Sequence, residues 1–208
     1  MDLNMKYDIL ASKTIIEKTM EALKIRGINT EFVEAKEDAL KRLKELIPVG
    51  SELMTGGSTT LDQIGFSEIL IRGEHQWKNL KGEILSEKDA VKQIELRKRS
   101  VTADYMIGSV HAVVETGEVL VVNASGSSIP SYSFSSDNVI WIVGSQKIVP
   151  TIEEGFKRLR EYCFPLEDRR MKNLGYPGSV IGKFLLFEKE INPNRKITLI
   201  FVNEKLGF

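Results

Sequence analysis

The sequence predicts an α/β fold with a mostly parallel sheet, and three observations carry that expectation. Helical and strand periodicities alternate along most of the chain. Residues 139–144 read VIWIVG, a near-continuous apolar run of the kind a strand shows when helices cover both faces of its sheet. Turn and stop signals separate the segments, with Gly27 and Pro48 closing the first two helices.

The first helix is expected from about Asp8 to Arg26, because Ile9, Ile16, Met20 and Leu23 share one face. Residues 29–34 form a short strand, and Leu40, Leu43 and Ile47 mark a second helix that ends before Pro48. Ser51 to Thr55 is a strand leading into Gly56-Gly57-Ser58-Thr59-Thr60, where a helix starts and runs through Leu61. Residues 67–85 read as loops with a short helix, and Glu87 to Ser100 as a charged helix. Two apolar runs, Met106–Glu115 and Glu118–Val122, flank Thr116-Gly117 as a hairpin, a small antiparallel addition. Thr151 caps a further helix, with Glu153 and Glu154 in its first turn. Ile152, Phe156, Leu159 and Cys163 share a face of it, so Cys163 points to the core. Strands at Phe184–Glu188 and Lys196–Val202 close the chain around an Asn192-Pro193-Asn194 turn.

A length of 208 residues suits one domain, 1–208, and 42% hydrophobic with 28% charged residues is ordinary globular composition. Lys plus Arg and Asp plus Glu number 29 each, a balance that argues against general nucleic-acid binding. The start, Met1-Asp2-Leu3-Asn4-Met5-Lys6, lacks the apolar run of a signal peptide, and no stretch approaches the ~20 apolar residues of a membrane span. Cytoplasm is the expected compartment. Cys163 is the only cysteine, so one chain forms no disulfide and no thiolate-rich metal or iron–sulfur site. No GxGxxG opens a helix, and no metal or cofactor is expected. Phe134 and Trp141 suit either a core or an interface, which leaves a homo-oligomer open.

Three segments could carry chemistry. Gly57, Ser58, Thr59 and Thr60 follow a strand and open a helix, where glycines let a ligand approach and exposed N–H groups and hydroxyls suit an anion. No lysine follows as in a nucleotide-binding P-loop, and a plain glycine turn with helix caps reads equally well. Glu115 stands at a strand end beside Thr116 and Gly117, where a carboxylate serves as nucleophile or acid/base, or else as a solvated turn residue. Asp104 and His111 complete an acid/base group with it if the fold brings the three together. The polar loop around Asn123, Ser125 and Gly126 also lies beyond a strand, where ligands of open α/β sheets bind. Lys147 and Arg170 supply fixed positive charge, with surface charge as the alternative.

Taken in order, Gly57-Ser58-Thr59-Thr60-Leu61, Ala103-Asp104, Glu115-Thr116-Gly117-Glu118, Val143-Gly144 with Lys147-Ile148-Val149, Pro165-Leu166 with Arg170-Met171 and the closing 202–208 resemble the LUD-domain (lactate-utilisation protein) family. The resemblance implies a Rossmann-like three-layer sandwich of the ribose-5-phosphate isomerase, glucosamine-6-phosphate deaminase and CoA-transferase type. It also implies a role beside iron–sulfur partners in oxidising L-lactate to pyruvate. Two departures stand out: residues 173–180 hold none of the cysteines many members carry there, and His111 stands where relatives tend to have Asp or Asn. The resulting expectation is an accessory lactate-utilisation protein that binds a small carboxylate or phosphate. A stand-alone isomerase or acyl/CoA transferase using Glu115, and a non-catalytic regulatory module, are its alternatives.

Overall fold

A computed structural model describes residues 5–208; Met1–Asn4, part of the stretch read above for a leader, lie outside the described residues. Six strands, all parallel, form the main sheet in the order β1 (Asn29–Val33), β10 (Lys196–Val202), β7 (Asn138–Gly144), β4 (Tyr105–Gly108), β2 (Glu52–Thr55) and β3 (Lys78–Asn79). The period-two alternation of β7 divides its side chains between two cores. Val139, Trp141 and Val143 face one side, with Leu199 and Phe201 of β10; Ile140 and Ile142 face the other, with Ile200 and Val202. The VIWIVG run is therefore apolar throughout because both faces are covered.

On the first face lies helix α1 (Lys13–Ile25), and beside it a second sheet of β8 (Ile148–Val149), β5 (Ala112–Val114), β6 (Val119–Asn123) and β9 (Lys183–Phe187). The opposite face packs α2 (Lys36–Leu46), α3 (Thr59–Gln63) and α4 (Phe66–Arg72). These layers are the sandwich the sequence predicts. The small sheet is mixed rather than wholly antiparallel, because β8 runs parallel to β5 while β6 and β9 run antiparallel to their neighbours.

Three elements differ from the sequence reading. Helix α1 starts at Lys13, since Ser12 caps it by accepting from the Ile15 N–H at 3.4 Å, and Ile9 stays 70% exposed. Residues 67–85 hold more order than loops: α4 sits between Gly65 and Gly73, both left-handed, and Asn79 caps α5 (Leu80–Ser86), which the expected charged helix follows as α6 (Ala90–Arg99). Helices of two turns carry too little periodicity to be read.

The apolar run 106–115 is the consequential case. It is two strands in two sheets: β4 ends at Gly108, Ser109 to His111 cross over, and β5 pairs with β6 and β8. The switch is hard to read because both strands are apolar and buried and only Ser109 and His111 interrupt the run between them. Among the described residues no helix is long and apolar enough to cross a membrane.

Candidate functional site

The crossover at 108–111 is the spine of a cavity of about 260 Å³ that opens beyond the carboxyl ends of β2 and β4. Its walls include Gly57 to Thr60, the crossover itself, Asn123, Ser128, Tyr132, Lys147, Cys163, Glu167, Arg170 and Phe208. This is where open parallel sheets hold ligands.

Each crossover residue meets a polar side chain from elsewhere. A Cβ on Gly108 would stand 1.8 Å from the Tyr132 hydroxyl, so only glycine admits that phenol. Lys147 Nζ donates to Ser109 Oγ at 3.0 Å, the Val110 carbonyl at 3.1 Å and Thr60 Oγ1 at 3.1 Å. Arg158 Nη1 donates to the His111 carbonyl and reaches Cys163 Sγ at 2.8 Å. Two cations thus hang on adjacent carbonyls of the crossover.

Among the described residues neither cation forms an ion pair with a carboxylate; Asp8 lies within the field of Arg158 but is bonded to Tyr162 and Lys205. Lys147 is 2% exposed and Arg158 fully buried, its guanidinium lying over the rings of Tyr7 and Tyr162. Arg158 Nε and Nη2 find no acceptor among the described residues. Burying unpaired charge is costly. Burial, and then the nearby Arg158, lower the Lys147 ammonium to about 7 from 10.5. Among the described residues Glu167 is the one acidic side chain on the cavity wall, and Arg170 engages it twice, at 2.7 and 2.8 Å.

His111 has a different part. Its Nδ1 accepts from the Val122 N–H at 3.2 Å, which fixes the ring proton on Nε2. Burial, then Lys147 and Arg158, push its pKa down to about 3. The imidazole is therefore neutral near pH 7 and offers an uncharged N–H donor rather than an exchangeable proton. Tyr132, 4% exposed and raised well above the ordinary phenol pKa by burial, offers a second uncharged donor. Trp141 braces it edge-on at 5.6 Å and is itself met edge-on by Phe187 at 5.6 Å.

Two irregular helical turns deliver side chains to this place. Tyr132 sits in a π-helical turn, Ser131–Ser135. A second π turn, Leu159–Cys163, joins α7 (Ile152–Arg158) to α8 (Phe164–Asn173), where Pro165 has no N–H to continue the i→i−4 ladder. Thr151 caps α7 as expected, accepting from Glu154 N–H. Cys163 is buried, as its helical face predicts, and also lines the cavity.

The sequence-predicted residues divide in two. Gly57, Ser58, Thr59, Thr60, His111, Asn123, Lys147 and Arg170 line the cavity together. The Ser58 hydroxyl is used locally as the α3 cap, accepting from Leu61 N–H at 3.3 Å, and Asn123 ties its own loop through Ser128 and Gly126. Ser125 and Gly126 lie on that loop but off the cavity wall.

Glu115, Thr116 and Gly117 lie at the far end of β5, about 13 Å along the strand from His111. Glu115 pairs with Lys18 of α1 at 2.9 Å, and Arg26 holds the Thr116 carbonyl at 2.8 Å. A Cβ on Gly117 would press on the Ala22 backbone at 2.9 Å, so the turn is a joint against α1. Asp104 precedes β4, at the opposite strand end from the cavity, where it accepts from the Glu52 N–H at 2.9 Å. The three carboxylate and imidazole groups expected to act together are thus held apart by two strand lengths. Trp141 is fully buried and Phe134 82% exposed.

Sequence reasoning missed Tyr132, Ser109 and Arg158. Nothing in a linear pattern shows a phenol threading over a glycine 24 positions away. Arg158 had a faint signal, as an arginine one position before a core-facing leucine with Tyr162 four residues on.

Fold and site together define an α/β protein with a six-stranded parallel sheet and a cation-backed cavity at its carboxyl edge. The LUD-domain family model matches residues 16–180, and the chain belongs to that family. A crystal structure of a DUF162 family protein from Deinococcus radiodurans is similar over 94% of this chain and 100% of that one, with a TM-score of 0.54 at 12% identity. That likeness concerns the fold. Weaker similarity extends to eIF2B beta from Chaetomium thermophilum (TM-score 0.36, 13% identity, 57% of this chain and 44% of that one). A D-ribose-5-phosphate isomerase in complex with phospho-erythronic acid gives a TM-score of 0.39 at 12% identity, over 81% of this chain and 94% of that one. No curated protein sequence is significantly similar.

Proposed function

We propose that the chain binds a small carboxylate- or phosphate-bearing metabolite in this cavity, as an accessory component of lactate utilisation. The observation that carries the reading is the pair of buried cations, Lys147 and Arg158, neither of which forms an ion pair with a carboxylate among the described residues. An anion in the cavity offsets part of that desolvation cost. The amides and hydroxyls of Gly57 to Thr60 and the uncharged donors of His111 and Tyr132 add hydrogen bonds without adding charge. With a single cysteine, electron transfer in such a system belongs to iron–sulfur partners and not to this chain.

The test is thermal unfolding in millimolar L-lactate, pyruvate, sulfate or inorganic phosphate, against chloride at equal ionic strength. A saturable rise in Tm with at least one of these anions is expected, since a ligand that binds only the folded state stabilises it by mass action. No rise above the chloride control with any of them ends the proposal.

A pH dependence follows from Lys147. Its folded pKa, about 7, lies below the 10.5 of the unfolded chain, so the unfolded state holds the extra proton between those values. Stability of the unliganded protein therefore rises from pH 7 towards 10. Anion binding works in the opposite sense, because a bound anion restores the ammonium. Affinity for sulfate, whose charge is constant over this range, should fall above pH 7, and calorimetry in two buffers of different ionisation heat should show proton uptake on binding near pH 7.5. Proton release would contradict the assignment.

Glu115→Gln is expected to leave anion binding unchanged and to shift unfolding by less than about 1 kcal/mol, the scale of a partly exposed ion pair. Loss of binding in that variant would instead favour a working carboxylate at the hairpin.

A further inference from the structure

We infer that Lys147 acts as an amine nucleophile, forming an imine with the carbonyl carbon of a small 2-oxo acid held in the cavity. This deepens the anion-binding reading and rests on it.

The neighbours of Lys147 Nζ set it apart from a lysine retained for charge pairing. They are two hydroxyls and a backbone carbonyl, Thr60 Oγ1, Ser109 Oγ and Val110 O, all within 3.0 to 3.1 Å. None is a carboxylate: the ammonium donates to all three, and on losing its proton the amine keeps two of these bonds and gives up one hydroxyl contact. The second buried cation, Arg158, is held on the very next carbonyl, that of His111, and a like charge so near disfavours the ammonium. A desolvated lysine beside another cation is the general recipe for a reactive amine. The lowered pKa of about 7 means that a substantial neutral fraction exists at physiological pH.

The remaining groups suit the other half of the ligand. A 2-oxo acid carries a carboxylate next to the carbonyl it offers. As Lys147 loses its charge in the attack, Arg158 keeps the field positive. His111 Nε2–H and the Tyr132 hydroxyl are uncharged donors for the carboxylate or for the carbonyl oxygen, and neither competes for a proton near pH 7. The one acidic side chain on the wall among the described residues, Glu167, is occupied by Arg170.

The chemistry balances without an oxidant or reductant. The amine lone pair forms a C–N bond as the carbonyl π pair moves to oxygen. That oxygen takes a proton, relayed by the hydroxyl of Ser109 or Thr60, and the nitrogen gives up one of its own. A second proton on the same oxygen releases it as water, and the C–N bond becomes the double bond of a protonated imine. Overall, amine, oxo acid and one proton yield iminium and water.

The experiment incubates the full chain with pyruvate or glyoxylate and sodium cyanoborohydride, then maps modified lysines by peptide mass spectrometry. Lys147 is expected to appear as the reduced secondary amine, labelled at least about tenfold more than with acetone, since the carboxylate is concentrated by the cationic cleft. L-Lactate, which has no carbonyl, should protect it. Lys147→Arg keeps a positive charge and should remove this label while leaving scattered surface labelling unchanged. Because mapping on the unaltered chain locates the label directly, the inference does not depend on that variant folding. Absence of label at Lys147, or label no greater there than on exposed lysines, overturns it. If anions raise Tm but no oxo acid labels Lys147, the imine falls and the anion site stands; if no anion raises Tm and no label forms, both fall.

Discussion

Replacing Lys147 with methionine is expected to weaken binding of L-lactate or sulfate by about ten- to a hundredfold, the scale of one charge-assisted hydrogen bond. Below pH 7 the unliganded variant should match or exceed the wild-type chain in stability. The change removes the desolvation cost of a side chain only 2% exposed, and this offsets the lost bonds to Thr60, Ser109 and Val110. The rise of stability with pH above 7 should disappear with the amine. Denaturant unfolding across pH 6 to 10, with and without ligand, reads both effects. Undiminished ligand stabilisation in the variant would remove Lys147 from the site.

The second large effect is expected at Gly108. A methyl there would lie 1.8 Å from the Tyr132 hydroxyl and 3.0 Å from Cζ. The phenol has little freedom to retreat, because its ring packs edge-on to the fully buried Trp141. Gly108→Ala should cost about 1 to 3 kcal/mol by overpacking and should take away the donor that Tyr132 extends to the cavity. Removing the hydroxyl relieves the closest contact, so the double variant Gly108→Ala with Tyr132→Phe should be more stable than the sum of the two single changes predicts. Simple additivity would mean that the two residues do not meet as described.

Much of this fold is legible in the chain itself. β10 falls on Lys196–Val202 as read, β7 shows the two-sided burial of a parallel strand, and Thr151 and Gly27 mark helix ends by mechanisms that act over a few residues. The loop 57–60 and the positions of Lys147 and Arg170 were legible for a similar reason: ligands of parallel sheets gather beyond strand ends, and those residues follow strands or lie on a helix near them.

What escaped the sequence depends on which strands become neighbours. The switch from β4 to β5 inside one apolar run decides that His111 enters the cavity while Glu115, four positions on, leaves it for α1. Strand-end logic applied to the undivided run puts the catalytic emphasis on the wrong end of β5 for this cavity. The placement of Arg158 depends on the π turn Leu159–Cys163 that follows it and on aromatic rings from residues 7 and 162, a combination with no local signature.

The measurement closest to the central claim is a calorimetric titration of the wild-type chain with sulfate at pH 7.5, repeated in two buffers of unlike ionisation heat. Saturable binding accompanied by net uptake of a fraction of a proton, and loss of that uptake in Lys147→Met, is the result that two uncompensated interior cations require. Binding without proton uptake, or uptake that persists when the amine is gone, would mean that the charge at the heart of this site is not the one awaiting an anion.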